Sequence, residues 1–195
     1  EWNGNTIRDS NTLKGCDTSW IKKIAKEEGK TIPYEFPTIK EFKQNKIQIV
    51  YLGWFWKNWS HSYNAKFSAL NGLKLRNDDP SNTGDLLGAM ALDEDWVIIN
   101  QMIKYYKFGF GRATDYLNLD LRLGHITREK AIKIIEKYDG ACSETYIQSF
   151  CNYLNISKEE FWRVVSGFVN KELFTLNNKS SGKKFIPKFK VGIGK

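Results

Sequence analysis

The chain has 195 residues, 41% of them hydrophobic and 14% aromatic, which excludes a disordered segment and suits a globular protein with one good core. Its net charge of +8 falls on the wet faces of helical segments and on a basic tail. It is not interleaved with stacking aromatics, so no nucleic-acid partner is expected, whereas an anionic small molecule would suit it. Three cysteines without CxxC spacing and two histidines exclude a disulfide framework, a zinc site and a His-based triad.

No apolar run approaches the roughly 20 residues of a membrane helix, and the first residues lack the form of a signal peptide. A soluble cytoplasmic protein without a membrane partner is expected. The chain opens on Glu1 and not on Met, so a preceding segment is expected to have been removed.

In chain order, the polar stretch from Glu1 to Gly15 reads as a loop, and Thr18 or Ser19 caps a short helix through Glu28. Pro33 and Pro37 keep the following segment extended. Ile47-Gln48-Ile49-Val50-Tyr51-Leu52-Gly53 is the clearest strand, because β-branched and aromatic residues run together up to a glycine. Such a strand requires sheet neighbours, for which the chain supplies few other candidates. Trp54, Phe55, Trp56 and Trp59 follow it, either walling a pocket or packing a loop on the core. Arg76 to Thr83 is turn-like, with Asn77-Asp78-Asp79-Pro80 as its punctuation.

From Asp93 onward the pattern is helical. Trp96, Ile99, Ile103 and Tyr106 share one face until Gly109 breaks the period. A second helix runs from Asp115 to Arg122 and closes at Gly124. Thr127 caps a third, with Ala131, Ile134, Ile135 and Tyr138 on its apolar side and Gly140 as its stop. Ser143 caps a fourth, and Ser157 with Glu160 has capping-box spacing before a fifth. The tail folds back as a hairpin, Phe174-Thr175-Leu176 against Phe185-Ile186-Pro187, with solvated lysines.

The densest concentration of chemistry is Phe108-Gly109-Phe110-Gly111-Arg112-Ala113-Thr114-Asp115. Gly109 and Gly111 permit close backbone approach, Arg112 offers a planar donor fork for a carboxylate or phosphate, and Asp115 orients that fork or holds a hydroxyl. The alternative is that Arg112 and Asp115 simply pair across a turn. The loop is neither a dinucleotide fingerprint, since Thr114 stands where the next glycine belongs, nor a P-loop. Arg122, Arg128 and Glu129 extend the polar surface downstream. Cys142 lacks a visible base, His125 sits in a joint, and Tyr138-Asp139-Gly140 reads as a helix terminus.

Lys107-Phe-Gly-Phe-Gly-Arg-Ala-Thr-Asp115, then Arg122-Leu-Gly, Ile126-Thr-Arg-Glu-Lys-Ala131 and Lys137-Tyr-Asp-Gly140, resembles the C-terminal part of the N-acetyl sugar amidotransferases. Ile156-Ser-Lys-Glu-Glu-Phe-Trp162 and Asn170-Lys-Glu-Leu-Phe174 continue the likeness in the same order, and Tyr51-Leu52-Gly53 is similar to a strand that the family places earlier. The resemblance implies a relative of the PP-loop ATP pyrophosphatases acting in bacterial surface-glycan and nonulosonic-acid biosynthesis. Such enzymes convert a sugar acetamido group to an acetamidino group: ATP adenylates the amide oxygen, and ammonia from a glutaminase partner attacks the carbon.

The family's Ser-Gly-Gly-x-Asp-Ser loop does not occur in this sequence. The implied parent uses ATP with Mg, whereas this chain alone is expected to bind no cofactor or metal and to be inactive.

The expected fold class is mainly α with a minor β component. Residues 1–60 are expected to be the remnant of a truncated α/β, PP-loop/HUP-like nucleotide-binding domain, 61–92 a loop-rich connection, 93–173 a helical C-terminal domain, and 174–195 a basic tail. The implied partners are an N-acetylated sugar substrate, a glutaminase subunit and the missing N-terminal domain. Substrate-binding candidates are Gly109, Gly111, Arg112, Asp115 and Arg122, with no catalytic residue assigned. The competing expectation is a non-catalytic helical module that binds a partner protein.

Overall fold

The computed structural model describes residues 39–46, 52–178 and 182–193, in two units, Glu1–Lys57 and Asn58–Lys195. In the first unit, α1 spans Ile39–Gln44 and a 3-10 turn spans Leu52–Trp54. The helix expected between Thr18 and Glu28, and residues 47–51 of the expected strand, lie outside the described residues. Leu52 and Gly53, read from sequence as the end of that strand, belong instead to the 3-10 turn, where the Phe55 N–H donates to the Leu52 carbonyl at 3.0 Å. The β-branched run stops at Val50, and Leu-Gly-Trp has nothing comparable to hold an extended backbone. Phe55 and Trp56, and Trp59 in the second unit, are exposed.

The second unit is mainly helical with one small sheet. It contains α2 (His61–Leu70), α3 (Pro80–Thr83), α4 (Val97–Phe108), α5 (Arg112–Arg122), α6 (Arg128–Tyr138), α7 (Glu144–Leu154) and α8 (Lys158–Phe168), then strands β1 (Phe174–Leu176) and β2 (Phe185–Pro187). Helices α2 and α3 fall where the sequence reads as loop. The Ser60 hydroxyl starts α2 by accepting the Tyr63 N–H at 3.0 Å. None of its residues is buried, so it carries no continuous apolar stripe for periodicity to detect. Helix α3 is a single turn, with Pro80 in its first positions and the Asp79 carboxylate accepting the Ser81 N–H at 2.7 Å. Asp78 takes the Tyr146 hydroxyl at 2.7 Å and the Asn82 amide at 2.8 Å. The acidic pair of this turn is therefore engaged in caps and tertiary bonds.

Local signals set the boundaries of the later helices. Gly109 ends α4 with φ +82°, a conformation that costs any L-residue but not glycine. Thr127 caps α6 through the Lys130 N–H, and Ser157 caps α8 through the Glu160 N–H at 3.1 Å. The Glu160 carboxylate of the expected capping box turns to Arg163 at 3.5 Å. Ser143 occupies the cap position of α7, but its side chain makes no capping bond. Replacing Ser157 by Ala is expected to lower stability by about 1 kcal/mol, read as a smaller urea midpoint with an unchanged slope; an unaltered midpoint would show that the hydroxyl contributes nothing.

The main core joins α4, α7, α8 and the hairpin through Ile99, Met102, Tyr106, Ile147, Phe161, Val165, Phe174 and Phe185. Complete burial of each large apolar side chain contributes roughly 1.5–3 kcal/mol. The rings interlock edge to face: Tyr106 meets Phe174 at 5.5 Å and 90°, and Phe185 at 5.1 Å and 73°, the arrangement that brings ring edges onto π faces. A smaller cluster, Leu117, Ala131 and Ile135, joins α5 to α6. Strands β1 and β2 pair antiparallel, with Thr175 opposite Ile186, and Phe174 and Phe185 are their buried residues.

Candidate functional site

Residues 108–115 form the joint between α4 and α5, and its two glycines serve different purposes. Gly109 supplies a positive φ, and a Cβ there would lie 3.2 Å from Leu173 Cδ1. Gly111 has φ −127°, accessible to any residue, but a Cβ on it would come within 2.9 Å of Asp139 Oδ1. The second glycine therefore provides clearance for a carboxylate.

That carboxylate organises the joint. Asp139 is 1% exposed; its Oδ2 accepts the Gly111 N–H at 2.8 Å and its Oδ1 accepts the Thr114 N–H at 3.2 Å. The Thr114 hydroxyl also donates to Oδ2. Gly111, at the N-cap of α5, has no side chain with which to cap it, so Asp139, at the end of α6, supplies the acceptor from 28 residues away. The position of a negative charge at a helix N-terminus is favourable in itself.

Arg112 points inward. It is 7% exposed, and its Nη1 lies 3.8 Å from Asp85 Oδ2. Asp85 also accepts the Leu87 N–H at 3.0 Å and the Met90 N–H at 3.4 Å. One helical turn after Arg112, Tyr116 packs edge to face with His61, ring centroids 5.2 Å apart. Burial, reinforced by the Asp85 charge, holds the Tyr116 phenol above its ordinary range.

Asp115 is exposed and pairs with Lys104 at 2.5 Å. The expected pairing of Arg112 with Asp115 is thus replaced by two separate pairs, one buried and one wet. Arg122 is exposed in the last turn of α5, ten residues and about 15 Å along the helix from Arg112. The structure does not gather the five sequence-derived candidates around one ligand position. Gly109 borders a shallow apolar groove of about 230 Å³, alongside Phe110, Ile132 and Phe189.

A larger cleft, about 450 Å³, opens between the end of α6, the start of α7 and the hairpin. Lys137, Lys183 and Lys184 line it with Glu144, Asn177 and Trp162. Among the described tail lysines, read from sequence as solvated, Lys183 is an exception. Lys183 is drawn in, donating to the Asp139 carbonyl and lying 5.2 Å from the centroid of the Tyr105 ring. Burial pulls its ammonium below the usual lysine range, and the charge of Asp139 opposes that shift.

Cys142 also lines the cleft, but burial, with the nearby Glu144 charge adding to it, pushes its thiol up to about 12. At neutral pH it is a protonated thiol and a poor nucleophile. Among the described residues no group of three or more His, Cys, Asp or Glu side chains is placed to hold a metal ion, and no helix is long and apolar enough to cross a membrane.

Sequence reading missed Asp139 and Lys183. The available signals were an acid immediately before a helix-stopping glycine, and a lysine two residues from a β-strand. Neither names its partner.

The fold and the cleft define a small helical domain with a C-terminal hairpin and a basic concavity. Residues 65–190 match the family described as LPS biosynthesis protein WbpG-like, C-terminal domain, and the chain belongs to that family. Its role accordingly lies in lipopolysaccharide biosynthesis. No match was found among curated proteins.

Proposed function

We propose that the chain is the C-terminal part of an ATP-dependent N-acetyl sugar amidotransferase, which replaces the oxygen of a sugar acetamido group with nitrogen from ammonia delivered by a glutaminase partner. The observation that supports this reading is the match of residues 65–190 to a C-terminal domain of lipopolysaccharide biosynthesis. That span contains the ordered segments from Lys107 to Phe174 that resemble the amidotransferases.

The loop at Gly109 and Gly111 does not suit the phosphates of ATP. The N–H groups of its two glycines are already used, that of Gly109 by the Tyr105 carbonyl at 2.8 Å and that of Gly111 by Asp139, and the buried Asp139 carboxylate would repel a phosphate. We therefore assign this domain to the sugar side of the reaction and leave nucleotide chemistry to another part of the parent protein. Arg112, paired with Asp85, holds α5 in place without facing a substrate. Its role is positional.

The test is to supply the full-length parent with ATP, an N-acetylated nucleotide sugar and isotope-labelled ammonium, and to follow label into the sugar by mass spectrometry. ATP-dependent incorporation is expected. A folded parent that incorporates no label from a panel of acetamido sugars would overturn the reading, and would favour a non-catalytic interaction module that uses the exposed rings of Phe108 and Phe168, over which Lys107 lies.

A further inference from the structure

The cleft at the hairpin contains more cationic groups than the fold uses. Lys137 comes from the last turn of α6, and Lys183 and Lys184 from the segment leading into β2. Among the described residues none of the three forms an ion pair with a carboxylate within 4.0 Å. The carboxylate that does line the cleft, Glu144, is engaged by Lys158 at 3.2 Å. The part-buried Lys183 ammonium is held by a carbonyl and an aromatic face, with the Asp139 charge acting on it but no direct ion pair, so an anion that pairs with it directly would gain more there than at an open surface.

One wall of the cleft is Trp162, half-buried, its ring 5.8 Å from Lys184 Nζ and 6.4 Å from the Phe185 ring. An indole offers a flat apolar face on which the C–H groups of a saturated ring can rest. Asn177 sits on the same wall, its amide donating to the Lys183 carbonyl at 2.9 Å, which fixes the segment that carries two of the lysines. A volume of about 450 Å³ falls in the range of small-molecule sites.

We propose that this cleft is a binding site for an anionic monosaccharide, its phosphate or carboxylate held by Lys137, Lys183 and Lys184 and its ring packed on Trp162. The preference for a sugar rests in part on the amidotransferase reading. The anion preference rests on the lysines alone.

The 195-residue chain is titrated calorimetrically with a hexose phosphate, a hexuronate and the corresponding neutral hexose. Either anion is expected to bind at least tenfold more tightly than the neutral hexose, with affinity falling as salt rises; which anion binds more tightly identifies the charged group. The variant K137Q/K184Q is expected to lose at least tenfold in affinity while its circular dichroism and melting are unchanged. Lys183 is left in place, because it also supports Asp139. Trp162→Leu is expected to weaken the preferred sugar anion more than it weakens inorganic phosphate. Equal binding of neutral and anionic sugars, or full affinity in K137Q/K184Q, would overturn the proposal. Because this assay involves neither ATP nor ammonia, its failure is distinguishable from failure of the amidotransferase reading.

Discussion

Asp139→Ala is expected to be among the most destabilising single substitutions in this domain. The carboxylate receives the Gly111 N–H, the Thr114 N–H and the Thr114 hydroxyl, and its removal leaves one buried donor and two partly buried ones without their acceptor. Each orphaned buried donor costs about 1–3 kcal/mol. A combined loss of about 3–5 kcal/mol follows after partial relaxation, a large fraction of an ordinary domain's stability. Asp139→Asn retains an acceptor oxygen and the shape of the side chain, so its loss should be distinctly smaller. Urea unfolding of the three proteins measures both differences; an alanine variant within about 1 kcal/mol of the parent would show that the joint does not depend on the carboxylate.

The next residue gives the second large effect. Gly140 has φ +71°, and a Cβ there would lie 2.1 Å from Tyr105 Cδ1. Gly140→Ala therefore combines backbone strain of about 1–2 kcal/mol with overpacking of about 1–3 kcal/mol. Gly124→Ala separates the two, because Gly124 has φ +74° with nothing within 4 Å of its Cβ position and reports strain alone. The Gly140 variant should be the less stable of the two. Shortening Tyr105 in the same chain should recover part of the difference, as a coupling energy in a double-mutant cycle. If the two glycine variants melt together, the contact with Tyr105 is not the source.

These two residues show where sequence reading succeeds and where it stops. Gly140 was legible as a helix stop because a stop is a local event: the preceding period, the glycine and the chain direction lie within a few residues. The same holds for Thr127, Ser157 and Gly109, and for the aromatic faces of α4, α7 and α8, whose 3.6-residue spacing identifies a buried side without naming its partner. The minor β component was legible too, since strong strand formers flank a polar loop.

Asp139 was read only as part of the terminus. Its partners lie 25 and 28 residues upstream, and a polar contact over that distance leaves no period. Arg112 misled for the same reason. A short loop containing Arg and Asp invites a local pair, but the competing carboxylate of Asp85 comes from the stretch that the sequence showed only as a loop-rich connection. Helix α2 went unread because none of its residues is buried, so it lacks the apolar stripe that periodicity detects. The cleft was the least legible feature, since Lys137 and Lys183 belong to segments that read separately as a wet helix face and a basic tail.

The doubled role of Asp139 also constrains how such a domain can vary. Its carboxylate begins α5 while its carbonyl holds Lys183 of the hairpin, so one residue fixes the distance and the rotation between three segments. An insertion of one residue within α6 would turn every later side chain by about 100° about the helix axis and carry the acid away from Gly111. An insertion within α6 is therefore expected to cost more than one at the exposed joint of Leu123, Gly124 and His125, whose backbone bonds among the described residues are local.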